Sequence, residues 1–387
     1  MKFEIYPLGS LCSRVTSGGT PKSTNSKYYD GSIPWLNTKE INFNRIYATE
    51  RNISKLGLEN SSAKWIVAPA VIVAMYGATA GKTAVALIPL TTNQACCNME
   101  IREDKADFRF VYYYLKWKYK ELSSLANGGA QQNLNAQLIR DFPVMLPNLL
   151  VQHQISDILW NIDDKIELNQ RINDNLQQQA FALFDRLLSR QHSAKCKLSQ
   201  IAFINARRVL KKNEFARCID MTQLSTSGSF PNGWEVKPYN GGMKFTNGDT
   251  LLARITPCLE NGKTAYIDFL NEKEVAFGST EYIIISSQGK FNPVFFYCLA
   301  RYPAFVDYAI KNMNGSSGRQ RVSAEVIGNF MLPMLTWEEI AAFNQTVPHL
   351  FRRIKNNSIE NMKLAQLRDI LLPKLMFGEV GISSMQL

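Results

Sequence analysis

An internal repeat, offset by 188 residues, limits the folds open to this chain more than any other property of its sequence. In two stretches, apolar residues recur at alternating steps of four and three, as they do along one face of a long helix. The paired positions of this apolar seam are Ile162 and Leu350, Ile166 and Ile354, Leu176 and Leu364, Ala180 and Arg368, Leu183 and Leu371, and Leu187 and Leu375. Asparagines occupy the same two seam positions in both copies, namely Asn169 and Asn173 in the first and Asn357 and Asn361 in the second.

Two asparagines in identical register are a stronger signal than apolar periodicity alone, because buried asparagines fix the register of coiled coils. The repeat therefore predicts two long helices, from about Leu150 to Ser189 and from about Glu338 to Phe377, packed on each other as an antiparallel coiled coil.

The distribution of charge divides the chain further. The 44 Lys and Arg residues exceed the 33 Asp and Glu residues, which gives a formal net charge of +11. Residues 1–147 and residues 191–335 each hold 17 basic and 11 acidic residues, so these two pieces account for all of the excess positive charge. A basic surface favours a polyanionic partner. The predicted domains are a globule at 1–147, a helical spacer at 148–190, a second globule at 191–335, a second spacer at 336–380 and a tail at 381–387.

Each basic piece has the pattern of a mixed α/β globule. A β-like apolar run begins at Ile72 in the first and at Leu251 in the second, and each run leads to a Gly-Lys-Thr-Ala turn. Helical periodicity covers Phe108 to Leu125 and Pro293 to Lys311. The predicted fold class is thus α+β or mixed α/β, with two pseudo-symmetric globules separated by the two long helices.

Several other classes of protein are disfavoured. The longest apolar stretch, Ile66 to Ala78, is interrupted by Pro69 and is shorter than a bilayer requires, so we expect a cytoplasmic protein. The seven cysteines form no CxxC pair, and we expect neither a disulfide framework nor a metal site nor a cofactor. Asn292-Pro-Val-Phe lacks the second proline of an adenine-methyltransferase box. Gly77-Ala-Thr-Ala-Gly-Lys-Thr has three residues between its glycines where a phosphate-binding loop needs four.

Two local patterns carry a resemblance to a known family. The first is Gly18-Gly-Thr-Pro21, followed by the segment from Tyr28 to Leu36 and by Thr38-Lys-Glu-Ile. The second is a polar loop, an apolar strand, a proline and an amphipathic helix at the end of each globule. In these patterns and in its repeat the chain resembles the specificity subunit of a Type I restriction-modification system. The second globule departs from the first pattern, because Ile204-Asn-Ala-Arg-Arg208 replaces the Gly-Gly-Thr-Pro motif.

The resemblance implies a DNA-recognition subunit without catalytic residues, in which each globule reads one half of a split, asymmetric target on double-stranded DNA. It also implies that the helices set the distance between the half-sites and dock two methyltransferase subunits, through which the restriction and translocation subunits attach. Off-seam apolar residues are the candidates for this docking surface, and the alternative is that they pack on the adjacent globules: Trp160, Phe181, Phe184, Phe351 and Met362.

Candidate DNA contacts divide by chemistry, because cations and hydroxyl groups suit phosphates whereas paired donors and acceptors suit base edges. The predicted phosphate contacts are Thr20, Lys22, Ser23, Thr38, Lys39, Thr79 and Lys82 in the first globule and Arg207, Arg208, Lys211, Lys212 and Lys263 in the second. The predicted base readers are Gln94, Gln131, Gln132 and Asn133 in the first globule and Arg254, Arg319, Gln320 and Arg321 in the second.

Two other functions stay open at this point. A free-standing DNA-binding regulator would share the basic globules but would need no surface for a methyltransferase. A nucleotide-using enzyme would be built around Gly81 and Lys82.

Overall fold

The computed structural model describes residues 2–126, 133–190, 194–316 and 318–379. The chain divides into two compact units, of which unit 1 comprises Met1–Asp164 and Gln366–Leu387, and unit 2 comprises Lys165–Ala365. Each unit therefore contains part of both long helices. The four-part division at 1–147, 148–190, 191–335 and 336–380 stays a prediction.

The described residues of unit 1 contain ten strands, four short α-helices, the start of one long helix and the end of another. Its strands are β1 (Glu4–Pro7), β2 (Cys12–Ser17), β3 (Tyr29–Leu36), β4 (Asn44–Ile46), β5 (Arg51–Ile53), β6 (Ala70–Ala74), β7 (Thr83–Ala86), β8 (Thr91–Thr92), β9 (Cys96–Ile101) and β10 (Pro143–Leu146). Its helices are α1 (Lys55–Glu59), α2 (Phe108–Trp117), α3 (Tyr119–Ser124), α4 (Ala136–Arg140) and the first part of α5 (Leu149–Leu188).

The strands of unit 1 form three sheets, with strand orders β2-β9-β6-β7-β4, β5-β3-β8 and β1-β10. The central strands β6 and β7 are buried along their whole length, and α2 packs against both of them. Their continuous apolar sequences are typical of strands covered on both faces.

The part of unit 2 that the structure describes contains a second set of ten strands. They are β11 (Lys195–Lys197), β12 (Ala202–Ile204), β13 (Phe215–Ile219), β14 (Glu235–Pro238), β15 (Met243–Phe245), β16 (Thr250–Ala253), β17 (Thr264–Tyr266), β18 (Ala276–Gly278), β19 (Tyr282–Ser287) and β20 (Met331–Pro333). Its helices are α6 (Val294–Arg301), α7 (Pro303–Lys311), α8 (Ala324–Gly328) and most of α9 (Trp337–Phe377).

The sheets of unit 2 repeat those of unit 1. Their orders are β12-β19-β16-β17, β14-β13-β18-β15 and β11-β20. Within the second sheet, β13 pairs with β14 antiparallel and with β18 parallel, as β3 pairs with β5 and β8 in unit 1. Helix α6 packs on β16 and β17 as α2 does on β6 and β7. The predicted mixed α/β class and the duplication are confirmed; β4 and β15 are the strands without a counterpart.

Each helix that the periodicity predicts inside a globule is divided into two. The segment from Phe108 to Leu125 breaks at Lys118, and the segment from Pro293 to Lys311 breaks at Tyr302. Tyr302 has extended backbone angles (φ −70°, ψ 126°) because the proline that follows it disfavours the helical region for the preceding residue.

The long helices begin and end within one residue of their predicted bounds, and local signals account for this. Asn148 accepts a hydrogen bond from the backbone N–H of Val151 at the start of α5. Thr336 and Glu339 form a capping box before α9. Gly378, with a φ of +72°, follows the last turn of α9.

Within unit 2 the two long helices run antiparallel, and the predicted asparagines face one another. Asn169 donates to Asn361 at 2.9 Å, and Asn357 donates to Asn173 at 2.8 Å. A pseudo-twofold repeat of 188 residues requires this exchange of partners, since the counterpart of Asn169 is Asn357 and that of Asn173 is Asn361. Asn169 and Asn357 are nearly inaccessible, so their amides are satisfied inside the interface.

Within unit 1 the same two helices meet through a buried ion pair. Arg368 of α9 donates to Asp163 of α5 at 2.7 Å, and the Tyr113 hydroxyl of α2 donates to the other carboxylate oxygen at 2.7 Å. The counterparts of Asp163 and Arg368 in unit 2 are Phe351 and Ala180, which belong to its hydrophobic core. One copy of the repeat is therefore polar where the other is apolar.

The expectation that five off-seam residues form a docking surface is wrong for most of them. Phe184 and Phe351 are buried in the core of unit 2, and Phe181 stacks on Tyr297. In unit 1 the Arg45 guanidinium lies over the Trp160 ring, with its Cζ atom 3.6 Å from the ring centroid. These residues pack against their own globules because the helices also serve as globule walls; Met362, which is partly exposed, lines a cavity of about 540 Å³ in unit 2.

None of the helices in the described part of the chain is long and apolar enough to cross a membrane.

Candidate nucleic-acid interface

The Gly-Gly-Thr-Pro motif of unit 1 lies against the loop between β8 and β9. The Gly19 N–H donates to the Thr92 carbonyl at 2.8 Å, and the indole of buried Trp35 donates to the Gly19 carbonyl at 2.9 Å. A Cβ on Gly18 would lie 2.1 Å from the Thr92 carbonyl oxygen, so this close approach requires glycine. The two glycines thus pack closely against Thr92.

Two of the predicted DNA contacts, Thr20 of this motif and Gln94, contact each other. Thr20 and Gln94 are both exposed, and the Thr20 hydroxyl donates to the Gln94 side-chain oxygen. The next two candidates, Lys22 and Ser23, are exposed in the turn that follows Pro21. Unit 1 therefore offers a contiguous hydroxyl, amide and ammonium surface of the kind that binds nucleic acid.

Two of the remaining candidates of unit 1, Lys39 and Lys82, have protein partners. Lys39 is exposed and pairs with Glu50 at 2.5 Å, and the adjacent Thr38 is half-buried. Lys82 donates to the Asn42 side-chain oxygen at 2.7 Å, and half-buried Thr79 precedes it in the same turn. Asn133 is exposed. Gln131 and Gln132 lie outside the described residues.

The Gly-Lys-Thr segments form the predicted hairpin turns between β6 and β7 and between β16 and β17. Gly81 and Gly262 have φ angles of +82° and +72°. A strand follows each lysine, whereas a phosphate-binding loop leads into a helix N-terminus. This geometry does not favour a nucleotide site at Gly81 and Lys82. Lys263 is half-buried and donates to the Met221 carbonyl at 2.7 Å.

In unit 2 the predicted base reader Arg321 pairs with an acidic residue, Glu281, and Arg254 lies close to the same residue. Arg321 binds Glu281 through two of its nitrogens, at 2.7 to 3.0 Å. The Arg254 N–H donates to the Glu281 carbonyl at 3.0 Å, and Gln320 lies beside Arg321. Hydrogen bonds from Arg321, its positive charge and that of Arg254 lower the pKa of Glu281 below its ordinary value, against the effect of partial burial. Arg319 is exposed next to this cluster.

Glu281 could not be identified from the sequence, because an acidic residue is not an expected DNA contact and Glu281 lies forty positions from Arg321. The other basic candidates of unit 2 follow β12. Arg207, Lys211 and Lys212 are exposed. Arg208 instead contacts the buried carboxylate of Asp249 at 3.3 Å. Burial raises the pKa of Asp249, although hydrogen bonds from Ser286 and Thr246 and the charge of Arg208 oppose it.

Duplicated mixed α/β globules, each with exposed cationic and amide side chains, joined by paired helices define a class of two-domain DNA-recognition proteins. Residues 1–178 match the family described as "Type I restriction modification DNA specificity domain". Together with the relatives below, this match bears out the predicted resemblance to the specificity subunits of Type I restriction-modification systems, which recognise DNA.

Similar proteins span nearly the whole chain. The Type I restriction enzyme MjaIX specificity subunit of Methanocaldococcus jannaschii is 25% identical over an alignment of 428 positions, and the match covers 96% of this chain and 92% of the relative. The HindI specificity subunit of Haemophilus influenzae is 21% identical, and the match covers 68% of this chain and 74% of that relative. The crystal structure of the Type I S subunit from M. genitalium has the same fold, with a TM-score of 0.57 and 18% identity over 97% of this chain and 96% of that one.

Proposed function

We propose that this chain reads a two-part, asymmetric target on double-stranded DNA, with one half-site for each globule. The observation that carries the proposal is the repeated strand order. The family match covers residues 1–178, and the second globule, which lies outside it, repeats the sheets of the first. The same architecture in both globules supports the same task for both.

The half-sites should differ because the exposed chemistry of the two globules differs. The first presents Thr20 and Gln94, whereas the second presents Arg321 beside Glu281. A glutamine favours adenine and an arginine favours guanine in the major groove. Exposed Lys22, Lys211 and Lys212 suit phosphates and would contribute affinity without selectivity.

The proposed division of the chain into residues 1–147, 148–190, 191–335 and 336–380 assigns the paired helices to spacing and assembly. Two methyltransferase subunits would dock on them, and the restriction and translocation subunits would attach through the methyltransferases. Apolar side chains that remain exposed on α5 and α9 support this docking role: Leu150, Leu168, Leu183, Trp337, Leu367 and Ile370. Such a complex would act on DNA in the cytoplasm.

The test is to co-express the chain with its methyltransferase and sequence the modified DNA. We expect methylated adenines within one motif that has two specified parts and an unspecified gap. Failure of the two proteins to co-purify, with DNA binding retained, would favour a free-standing regulator instead.

A further inference from the structure

Arg321 is held by backbone hydrogen bonds on both sides. Its N–H and carbonyl both bond to Asn314, at 2.9 Å each, and the following residue, Val322, donates to the Arg254 carbonyl at 2.9 Å. The main chain at Arg321 is therefore fixed between two neighbouring segments of unit 2. The position of its side chain depends on whatever holds the guanidinium.

Glu281 holds the Arg321 guanidinium along one edge. The Nε atom lies 2.9 and 3.0 Å from the two carboxylate oxygens, and Nη2 lies 2.7 Å from Oε1. The Nη1 atom donates to the Arg319 carbonyl at 3.2 Å. Glu281 is itself anchored, since its N–H donates to the Ser279 hydroxyl and its carbonyl accepts from Arg254. The guanidinium is thus held by two groups, the Glu281 carboxylate and the Arg319 carbonyl.

This arrangement leaves a specific set of donors. A guanidinium has five N–H groups, and three of them are used here. The other two, one on each terminal nitrogen, have no acceptor among the residues that the structure describes. The Arg321 side chain is 40% exposed, so these donors can reach a ligand. Paired N–H donors of an arginine can bind the O6 and N7 acceptors of guanine in the major groove.

We propose that Glu281 is a positioning residue for base recognition, and that it orients Arg321 to read a guanine in the half-site of the second globule. This inference rests on the proposed function. A carboxylate near a polyanion weakens binding to any DNA, so it serves general affinity poorly. Glu281 would instead increase selectivity for one base, because a guanidinium fixed in one orientation cannot turn toward phosphates or other base edges.

A second acidic pair in unit 2 supplies a matched control. Arg217 contacts Glu274 at 3.2 Å and lies over the Trp234 ring, and its side chain is 22% exposed. This pair packs against the surface of its own globule. Neutralising Glu274 removes the same charge from the same unit without disturbing Arg321.

The experiment measures binding of the assembled methyltransferase complex to its target duplex and to duplexes that differ at one base pair each. Glu281→Ala should reduce discrimination at a single G·C pair by roughly tenfold or more, and Arg321→Ala should affect the same pair. Affinity of Glu281→Ala for unrelated DNA should stay equal or rise. Glu281→Gln, which keeps one acceptor, should retain part of the discrimination, and Glu274→Gln should leave it unchanged.

Each alternative result has a distinct meaning. Equal loss of affinity for all duplexes with Glu281→Ala, together with a lower melting temperature, would show a structural role and overturn the inference. Unchanged discrimination with both Glu281 variants, while the wild-type complex remains selective, would also overturn it but leave the proposed function standing. A wild-type complex with no base preference would refute the proposed function itself.

Discussion

Replacing Arg368 by alanine should destabilise unit 1 strongly. Asp163 and Arg368 have side chains that are only 12% and 16% exposed, and their contact is 2.7 Å. Removing the guanidinium leaves a buried carboxylate with the Tyr113 hydroxyl as its remaining short hydrogen bond. Breaking a buried pair in this way typically costs about 3–5 kcal/mol. For a unit of this size, that corresponds to a fall in melting temperature of roughly 6–20 °C.

A double-mutant cycle separates the ion pair from the loss of packing. Arg368→Ala in an Asp163→Asn background should cost about 2 kcal/mol less than in the wild type, because no charge is then left unpaired. Replacing the pair by its counterparts from unit 2, as Asp163→Phe with Arg368→Ala, should recover part of the lost stability.

Urea denaturation followed by tryptophan fluorescence is a suitable assay, since Trp160 lies on α5 and Trp117 packs on Phe377 of α9 in unit 1. Lys116 is a partly buried cation nearby, and its pKa is lowered to about 8 by burial and by the charge of Arg368. Measurements at pH 7 keep it mainly protonated. Additive effects of the two single substitutions, or a loss below about 1 kcal/mol for Arg368→Ala, would refute the coupling.

Three further predictions concern unit 2 and the DNA contacts. Burial raises the pKa of Asp268 to about 6, although the charge of Lys355 opposes this shift. Between about pH 4 and 6 the folded protein therefore keeps a proton on Asp268 that the unfolded chain has lost, so the free energy of unfolding should fall as the pH rises through this range. Asp268→Asn should therefore raise the free energy of unfolding at pH 7 by on the order of 1 kcal/mol and leave it nearly unchanged at pH 4, as denaturation at both values can test. Gly262→Ala should lower stability by about 1–2 kcal/mol in urea denaturation, because its φ is +72° and the new Cβ would lie 2.8 Å from Arg301; Gly289→Ala, with a positive φ but open space, controls for backbone strain. Lys82→Ala should weaken binding to all duplexes and reduce the salt dependence, whereas Arg321→Ala should relax one half-site; equal losses on every duplex from both changes would contradict this division of roles.

The long helices were predictable to within one residue because their signals are local. The seam with a period near 3.5 residues, the Thr336 to Glu339 capping box and the turn at Gly378 each depend on residues only a few positions apart. The Gly-Lys-Thr hairpin turns were predictable for the same reason. The second sheet of each globule was not, since its parallel pairings join strands that lie far apart in sequence.

The candidate site was predictable in composition but not in pairing. The sequence indicated Thr20, Gln94 and Arg321 from their chemistry alone. It could not show that Thr20 meets Gln94 or that Arg321 meets Glu281, because these contacts depend on which loops the sheets bring together. The off-seam aromatic residues were misassigned for a related reason, since periodicity does not reveal that a globule covers the outer face of a helix.

Exchange of one globule tests most directly whether each globule reads its own half-site. Residues 191–335 would be replaced by the corresponding globule of a Type I specificity subunit with a known target, and the methylated motif would be sequenced in cells that also express the methyltransferase. We expect one half of the motif to change to that of the donor while the other half stays the same. A motif that changes in both halves, or in neither, would contradict the assignment of one half-site to each globule.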